Sequence, residues 1–280
     1  LSPSNHERLL ALAARPYGMI LVTGATGSGK TTTLYALLNE INALNRNIVT
    51  LEDPVEYSLP GINQVQINPR AGFGFENGLR SVLRQDPDVI MVGEMRDRAT
   101  AELGVQAALT GHLVLSTLHT NRAAGTIARL FDMGIEGFLL ADALIGVLAQ
   151  RLVRCLCPHC RVPYQLDASS AARLGMPEAA GQTFYYAQGC SVCRYIGYSG
   201  RMALHELLLP GPAMKAMIAA GALTADIETE AVREGMIRLM DDARCKAAAG
   251  LTSLEEVARV CSQEDYPCNT FIAPAIMGAI

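Results

Sequence analysis

No excess of positive charge is present in this 280-residue chain: 27 acidic side chains face 23 basic ones, a formal charge of −4. A protein that holds nucleic acid through a phosphate-binding basic face carries the opposite balance, so no nucleic-acid partner is expected. Long hydrophobic runs are lacking too. The longest, Phe138 to Ala149, is broken by Asp142 and falls short of the roughly 20 residues that a membrane span needs, so a soluble chain with no direct span is expected. The first 20 residues lack the basic-then-apolar build of a secretory leader, and there is no internal repeat or low-complexity tract. Half of the residues are apolar and 18% are charged, a globular profile. At roughly 150 residues per domain the length fits about two domains. The chain opens on Leu1, not on Met, and reads as a fragment.

Hydrophobic patterning gives the fold class. Gly18 to Thr23 is a short run of β-formers followed at once by a Gly-rich turn, and Leu34, Leu37, Leu38, Ile41 and Leu44 then recur three and four apart, the stripe of a helix packed on a sheet. Ile48–Leu51, Val89–Val92 and Leu113–Leu115 read as buried strands, with helices over 76–84 and 100–109 between them. Residues 17–150 are therefore expected to form an α/β, parallel sheet with helices on both faces. Ile62–Ile67 alternates with period two and predicts an added antiparallel ribbon. From Cys155 to about Arg201 periodicity fades, apolar side chains are too few for an independent core, and something must staple the region. Residues 203–262 return to helical patterns, with Thr252 and Glu255 spaced as a capping box opening the last helix. Boundaries are expected at 1–154, 155–202, 203–262 and an apolar, unassigned tail 263–280.

Gly24-Ala25-Thr26-Gly27-Ser28-Gly29-Lys30-Thr31 fits G-x-x-x-x-G-K-[ST] and sits between a strand and an amphipathic helix. Glycines in such a loop turn backbone N–H groups toward phosphate oxygens, and the helix N-terminus adds partial positive charge. Lys30 is expected on the β- and γ-phosphates and the Thr31 hydroxyl on Mg²⁺, with Thr32 beside them. Hydrolysis further requires a carboxylate. Glu94 follows strand Val89–Val92 at the sheet edge that carries the Gly-rich loop, placed to polarise water or to reach Mg²⁺; Gly93 stands where many such enzymes have aspartate. Glu52, Asp53 and Glu56 follow another strand at the same edge, a bunching that a Mg²⁺-nucleotide site or a solvated loop would tolerate. His119 lies beyond the strand at 113–115 and His112 before it. Arg80, Arg84 and Arg96 flank the acidic elements as candidate transition-state cations or as plain ion-pair partners.

Cys157-x-x-Cys160 and Cys190-x-x-Cys193 are two knuckles 29 residues apart. Four thiolates in such turns suit tetrahedral Zn²⁺; disulfides are the rival in an oxidising compartment. His159 reads as a bystander, and Cys155, Cys245, Cys261 and Cys268 as free thiols.

Taken in order, GATGSGKTTTLYALL, TLEDPVEY, LRSVLRQDPDVIMVGEMRD, GHLVLSTLHTN, AQRLVRCLCPHC, GCSVC…GYSGR and LTSLEEVARV resemble the C-terminal motor half of the ATPases that drive type II secretion and type IV pilus assembly. The likeness covers about residues 1–262. It is stronger to the type II branch, on TTTLYA, on the moderate interval between cysteine pairs and on His205-Glu206-Leu207-Leu208. The resemblance implies a RecA-like P-loop core with a tetracysteine zinc subdomain and a C-terminal helical subdomain, and ATP, Mg²⁺ and Zn²⁺ as cofactors. It implies a Walker A loop over 24–31, an aspartate box at Glu52, Asp53 and Glu56, an atypical Walker B segment over 88–94 with Glu94 catalytic, and a histidine box over 111–119. Arg80, Arg84, Arg96 and Arg129 become candidates for phosphate contact or subunit-interface pairing. It also implies a homo-hexameric ring in the cytoplasm, peripheral at a bacterial inner membrane, working with platform and cytoplasmic-domain proteins of the secretion machinery. Two departures stand out: the family's preceding domain is absent, so weak activity is expected, and Phe75-Glu76-Asn77-Gly78 replaces a small, usually Ala-containing segment. Other readings are a pilus-assembly ATPase, a small-molecule kinase, for which no lid or acceptor motif is seen, and a non-catalytic zinc adaptor.

Overall fold

The computed structural model describes residues 1–43 and 46–261. Leu44, Cys268 and the tail from 263 lie outside the described residues. The described chain divides into two units, Leu1–Gln150 with His205–Arg238, and Arg151–Leu204 with residues 239–261.

In the first unit, Ser2 caps α1 (Pro3–Ala13). β1 (Gly18–Thr23) leads through the Gly-rich loop into α2 (Lys30–Ile41), β2 (Ile48–Glu52) and β3 (Asn63–Gln66). There follow α3 (Phe75–Val82), β4 (Val89–Val92), α4 (Arg98–Leu109), β5 (Leu113–Leu118), α5 (Ala123–Asp132), α6 (Gly137–Ala143) and β6 (Leu144–Leu156). Asp97 opens α4 by accepting from the Thr100 amide at 2.9 Å, an acidic N-cap. The strands order β3-β2-β4-β5-β1-β6-β9, with β9 at Tyr198–Leu208. The pairings of β2 with β3 and β4, of β4 with β5, and of β1 with β5 and β6 are all parallel.

Ile20 and Val22 join Leu9, Leu12, Leu34 and Leu38 in one buried cluster, so α1 and α2 cover that face. The alternate residue Met19 turns to the other face, where it comes within 3.4 Å of a Cβ placed at Gly104 on α4. Burial on both faces is why these strands read as continuous apolar runs. Gly78 is buried where a Cβ would stand 2.8 Å from Leu51 Cδ2, which lets α3 lie close on β2 despite the altered segment before it. α8 (Pro212–Ala219) and α9 (Thr224–Arg233) complete this unit, packing on α6 and α5.

In the second unit, β7 (Arg161–Gln165) pairs antiparallel with β8 (Thr183–Ala187), with α7 (Ala168–Arg173) between them. α10 (Leu239–Ala248) and α11 (Leu254–Cys261) pack on β8.

Four expectations are corrected. β3 is not part of an antiparallel ribbon: it pairs parallel with β2, Val49 opposite Asn63, because the ten residues 53–62 carry the chain back to the starting edge. Residues 203–208 extend β9 and are not helical; 204–208 are all buried, a short apolar run that periodicity cannot assign. The last helix is capped by Ser253, whose Oγ accepts from the Glu256 amide at 3.2 Å, while Thr252 is drawn away to donate to Arg154 O at 2.8 Å. Finally, the units cross the boundaries drawn at 154 and 202, while the one at 262 lies at the edge of the described residues. Residues 155–202 obtain their missing apolar partners from Leu239, Ala243, Leu254 and Val257, far along the chain.

Candidate functional site

Because β1, β2, β4 and β5 run parallel, with Thr23 level with Leu118 and Val92 level with Ser116, their C-terminal ends form one edge. The Gly-rich loop leaves β1 there with positive φ at Gly24 (148°), Gly27 (76°) and Gly29 (86°). A Cβ at Gly24 would lie 2.3 Å from Gln150 O, so only glycine fits. Gln150, buried at the end of its apolar run, donates to Ser28 O at 2.6 Å and accepts from Thr33 Oγ1 at 2.7 Å, pinning the loop to α2.

Lys30 lies in this cradle, its Nζ donating to Gly24 O at 2.8 Å and Ala25 O at 3.2 Å. Burial pushes its ammonium below the usual lysine range, while the charge of Glu94 pulls the other way. The loop fits a phosphate chain on its own structure. Gly27 meets open space, and Ser28 Oγ is buried without a hydrogen-bond partner among the described residues. Thr31, half-buried in the first turn of α2, stands where a Mg²⁺ ligand is required.

Glu94 emerges beyond β4, its backbone held on both sides. Gly93 N donates to Leu51 O at 2.8 Å, Thr117 Oγ1 donates to Gly93 O at 2.7 Å, and Met95 N reaches Thr117 O at 3.1 Å. A Cβ at Gly93 would crowd Leu51 O at 3.2 Å, a physical reason for glycine in the place of aspartate. One Glu94 oxygen pairs with Arg96; the other meets His119 Nε2 at 3.5 Å. Glu94, Arg96, His119 and Lys30 thus converge at one edge.

Other candidates fall elsewhere. Glu52 is buried, accepting from Tyr35, from Thr50 Oγ1 at 2.5 Å and from Gln64 Nε2 at 3.1 Å. Asp53 and Glu56 are exposed in the loop beyond it. Arg80 is exposed and pairs with Glu76 on its own helix at 3.0 Å. Arg84 lies in the turn leading into β4, whose neighbours Gln85 and Asp86 accept from Asn47 before β2, so it stands at the opposite edge from its own P-loop. His112 is at that far edge too, its Nδ1 3.0 Å from Ala107 O at the end of α4. Arg129 is exposed on α5. Sequence reading gives no site role to Tyr35, Gln64 or Gln150, although Tyr35 and Gln150 lie within the runs GATGSGKTTTLYALL and AQRLVRCLCPHC. The one available signal was a polar side chain inside an otherwise apolar face, as for Gln150 midway along β6.

In the second unit, Cys157, Cys160, Cys190 and Cys193 bring their sulfurs within 4.8 Å of one another. Cys193 Sγ lies 3.7 Å from that of Cys160 and 3.8 Å from that of Cys190, and all four are free thiols. Zn–S bonds of about 2.3 Å give a tetrahedron with sulfur–sulfur edges of about 3.8 Å, so the donor set fits zinc and not disulfides. Burial pushes the Cys193 thiol up, but the Cys190 and Gly197 amides and the neighbouring Cys160 and Cys190 thiols outweigh it and bring it below the ordinary cysteine range. Cys160 is pushed up, chiefly by burial. Four sulfurs at these separations are a site that a cation completes.

Nearby, the buried Glu256 accepts from Arg154 Nε at 2.9 Å and from Arg259 Nε at 2.8 Å. Burial raises its carboxyl, yet the two arginines outweigh that and hold it at about 2, against an ordinary 4.5. A depressed folded-state value adds stability above pH 4.5 that is lost as pH falls toward 2. Glu256→Gln is therefore expected to cost about 3 kcal/mol at pH 7 and less than half of that at pH 3. Urea melts at the two pH values check this; an equal cost at both would refute it.

The type II/IV secretion system protein family matches residues 1–259. The chain is 52% identical over 264 residues to type II secretion system protein E of Dickeya dadantii, covering 94% of this chain and 52% of that protein. It is 50% identical over 258 residues to the type IV pilus assembly ATPase PilB of Thermus thermophilus, covering 91% and 29%. The chain spans about half the length of the type II relatives it matches. Among solved structures, the pilus retraction motor PilT with bound ADP aligns with a TM-score of 0.69 at 31% identity, over 90% of this chain and 64% of that one. No helix among the described residues is long and apolar enough to cross a membrane. With that family matched over 259 of its 280 residues, the chain belongs to the type II/IV secretion system protein family.

Proposed function

We propose that this chain is the motor portion of a type II secretion ATPase, which hydrolyses Mg²⁺-ATP and works as a hexameric ring at the cytoplasmic face of a bacterial inner membrane. The observation that carries the reading is the placement of Glu94 beside Arg96 and His119 at the sheet edge that bears Lys30. Lys30 and the loop amides would hold the β- and γ-phosphates, and Thr31 with Glu94 would hold Mg²⁺, which supplies charge neutralisation between the phosphates. Glu94, kept from rotating by Arg96, is placed to orient and polarise the attacking water, and His119 to sense its charge. Arg80, exposed and held by Glu76, and Arg84, at the far edge of the sheet, suit contact with a neighbouring subunit. The cysteine cluster would hold one structural zinc. The type II branch is favoured by the 29-residue interval between cysteine pairs; the work done would be the addition of pilin-like subunits through a membrane platform protein.

The test is the ATPase rate per molecule as a function of protein concentration, for this chain and for Lys30→Ala. Specific activity is expected to climb with concentration and to vanish in the variant. A rate that is flat with concentration would remove the ring; equal turnover in Lys30→Ala would remove the P-loop as the site.

A further inference from the structure

The polar alternates of β3 and a tyrosine on the P-loop helix meet around Glu52. We propose that the Tyr35 hydroxyl, with Gln64, is a positioning group that fixes the acidic loop 53–59 to the P-loop helix, and that Glu52 is the buried anchor of this clamp, not a group that touches nucleotide or water. The proposal deepens the ATPase reading and rests on it for its catalytic consequence.

Both oxygens of Glu52 are engaged inside the protein, Oε1 by Thr50 and Gln64 and Oε2 by Tyr35. Charge-assisted bonds of this kind are stronger than those between neutral groups, so turning the carboxylate onto a metal or water would forfeit several of them. Tyr35 is fully buried. Its oxygen donates to Glu52 and accepts from the Glu56 amide and from Gln64 Nε2, both at 3.3 Å. Its ring stands edge-on to Tyr57 with centroids 4.7 Å apart. Gln64 completes the strap: its Oε1 accepts from the Leu59 amide at 2.6 Å and its Nε2 also reaches Tyr57 O at 3.2 Å. Gln66 accepts from the Val55 amide at 3.4 Å. The loop's amides at 55, 56 and 59 thus end on side chains from α2 and β3.

The consequence follows from where Tyr35 sits. It is five residues after Lys30 on the same helix, so the loop's position is slaved to the element that carries the phosphate-binding lysine. At the loop's other end, Asp53 is close enough to Arg96 for its charge to reinforce that guanidinium, behind the larger effect of Glu94. The clamp therefore sets the distance between the loop carboxylates and the Glu94–Arg96 pair.

Tyr35→Phe removes one hydroxyl and keeps the ring. In the 280-residue chain it is expected to lower kcat about tenfold with KM for ATP within about twofold, the split that marks a lost transition-state arrangement. Amide exchange at 55–59 should quicken about tenfold while α2 exchanges as before. Gln64→Leu should reproduce the pattern, and Glu52→Gln should behave like these two. Unchanged exchange at 55–59 in Tyr35→Phe would overturn the proposal, as would a rise in KM at constant kcat. If Glu52→Gln lost turnover as fully as Lys30→Ala while exchange at 55–59 stayed unchanged, Glu52 would be a reacting group and the anchor role would fail. Equal turnover in wild type and Lys30→Ala would refute the ATPase reading instead, and the exchange data would still decide the clamp.

Discussion

Glu94→Gln is expected to abolish turnover, by a factor of about 10²–10⁴, while leaving nucleotide affinity nearly intact. The substitution preserves volume and hydrogen-bonding reach but removes the charge that pairs with Arg96 and faces His119. An amide neither attracts a proton from water nor supports a cation, so the loss falls on the reaction step. Binding is spared because the P-loop is shaped by other contacts, Gln150 to Ser28 and Thr33 and the backbone of Gly24. With Glu94 neutral, the pull that opposes burial at Lys30 is also gone, so its ammonium pKa should fall further. Steady-state turnover beside binding of a fluorescent ATP analogue reads both effects. Turnover within threefold of wild type would take Glu94 out of the mechanism.

Loss of the metal is expected to have the largest effect on folding. In Cys193→Ser, zinc content should drop from one per chain to none, and the second unit should lose its cooperative melt. A structural zinc site is worth on the order of 10 kcal/mol, more than the whole stability of many domains. Cys193 is the sensitive ligand: it is buried, lies within 4 Å of two other sulfurs, and accepts from the amides of Cys190 at 3.3 Å and Gly197 at 3.2 Å. A serine oxygen is a poorer zinc ligand and is too short to keep both sulfur distances. Elemental analysis of reductively purified protein, with thermal melts before and after chelation, checks the expectation. Wild-type protein free of zinc, or a variant that melts as wild type does, would contradict it.

The P-loop was readable from sequence because its chemistry needs contiguous residues: three glycines, a lysine and a threonine within eight positions, between two patterned elements. Strands β1, β2 and β4 were readable because burial on both faces leaves an unbroken apolar run. The cysteine cluster was readable because two short spacings suffice to name a donor set. What escaped was set by distant partners. The direction of β3 depends on how far residues 53–62 travel, which no local pattern encodes. Residues 155–202 looked short of a core because Leu239, Leu254 and Val257 are supplied from much later in the chain. Tyr35 stood inside the TTTLYA run with no role of its own, its hydroxyl meaningful only once Glu52 and Gln64 were brought to it. Thr252 and Glu255 had the spacing of a cap, yet the neighbouring strand's Arg154 competed for Thr252 and shifted the cap by one residue.

The chain passes between the two units three times, after Gln150, Leu204 and Arg238, and this bears on how the protein is made. On a ribosome β1 to β6 precede the cysteine-bearing segment, but α8 and α9, which belong to the same unit as β1 to β5, follow only after it has been synthesised. That segment in turn waits for Glu256 and the last two helices. Domains usually mature in order of synthesis; here the sheet is closed by β9 only after the cysteine-bearing segment, and the four thiols wait without their helical partners until α10 and α11 follow.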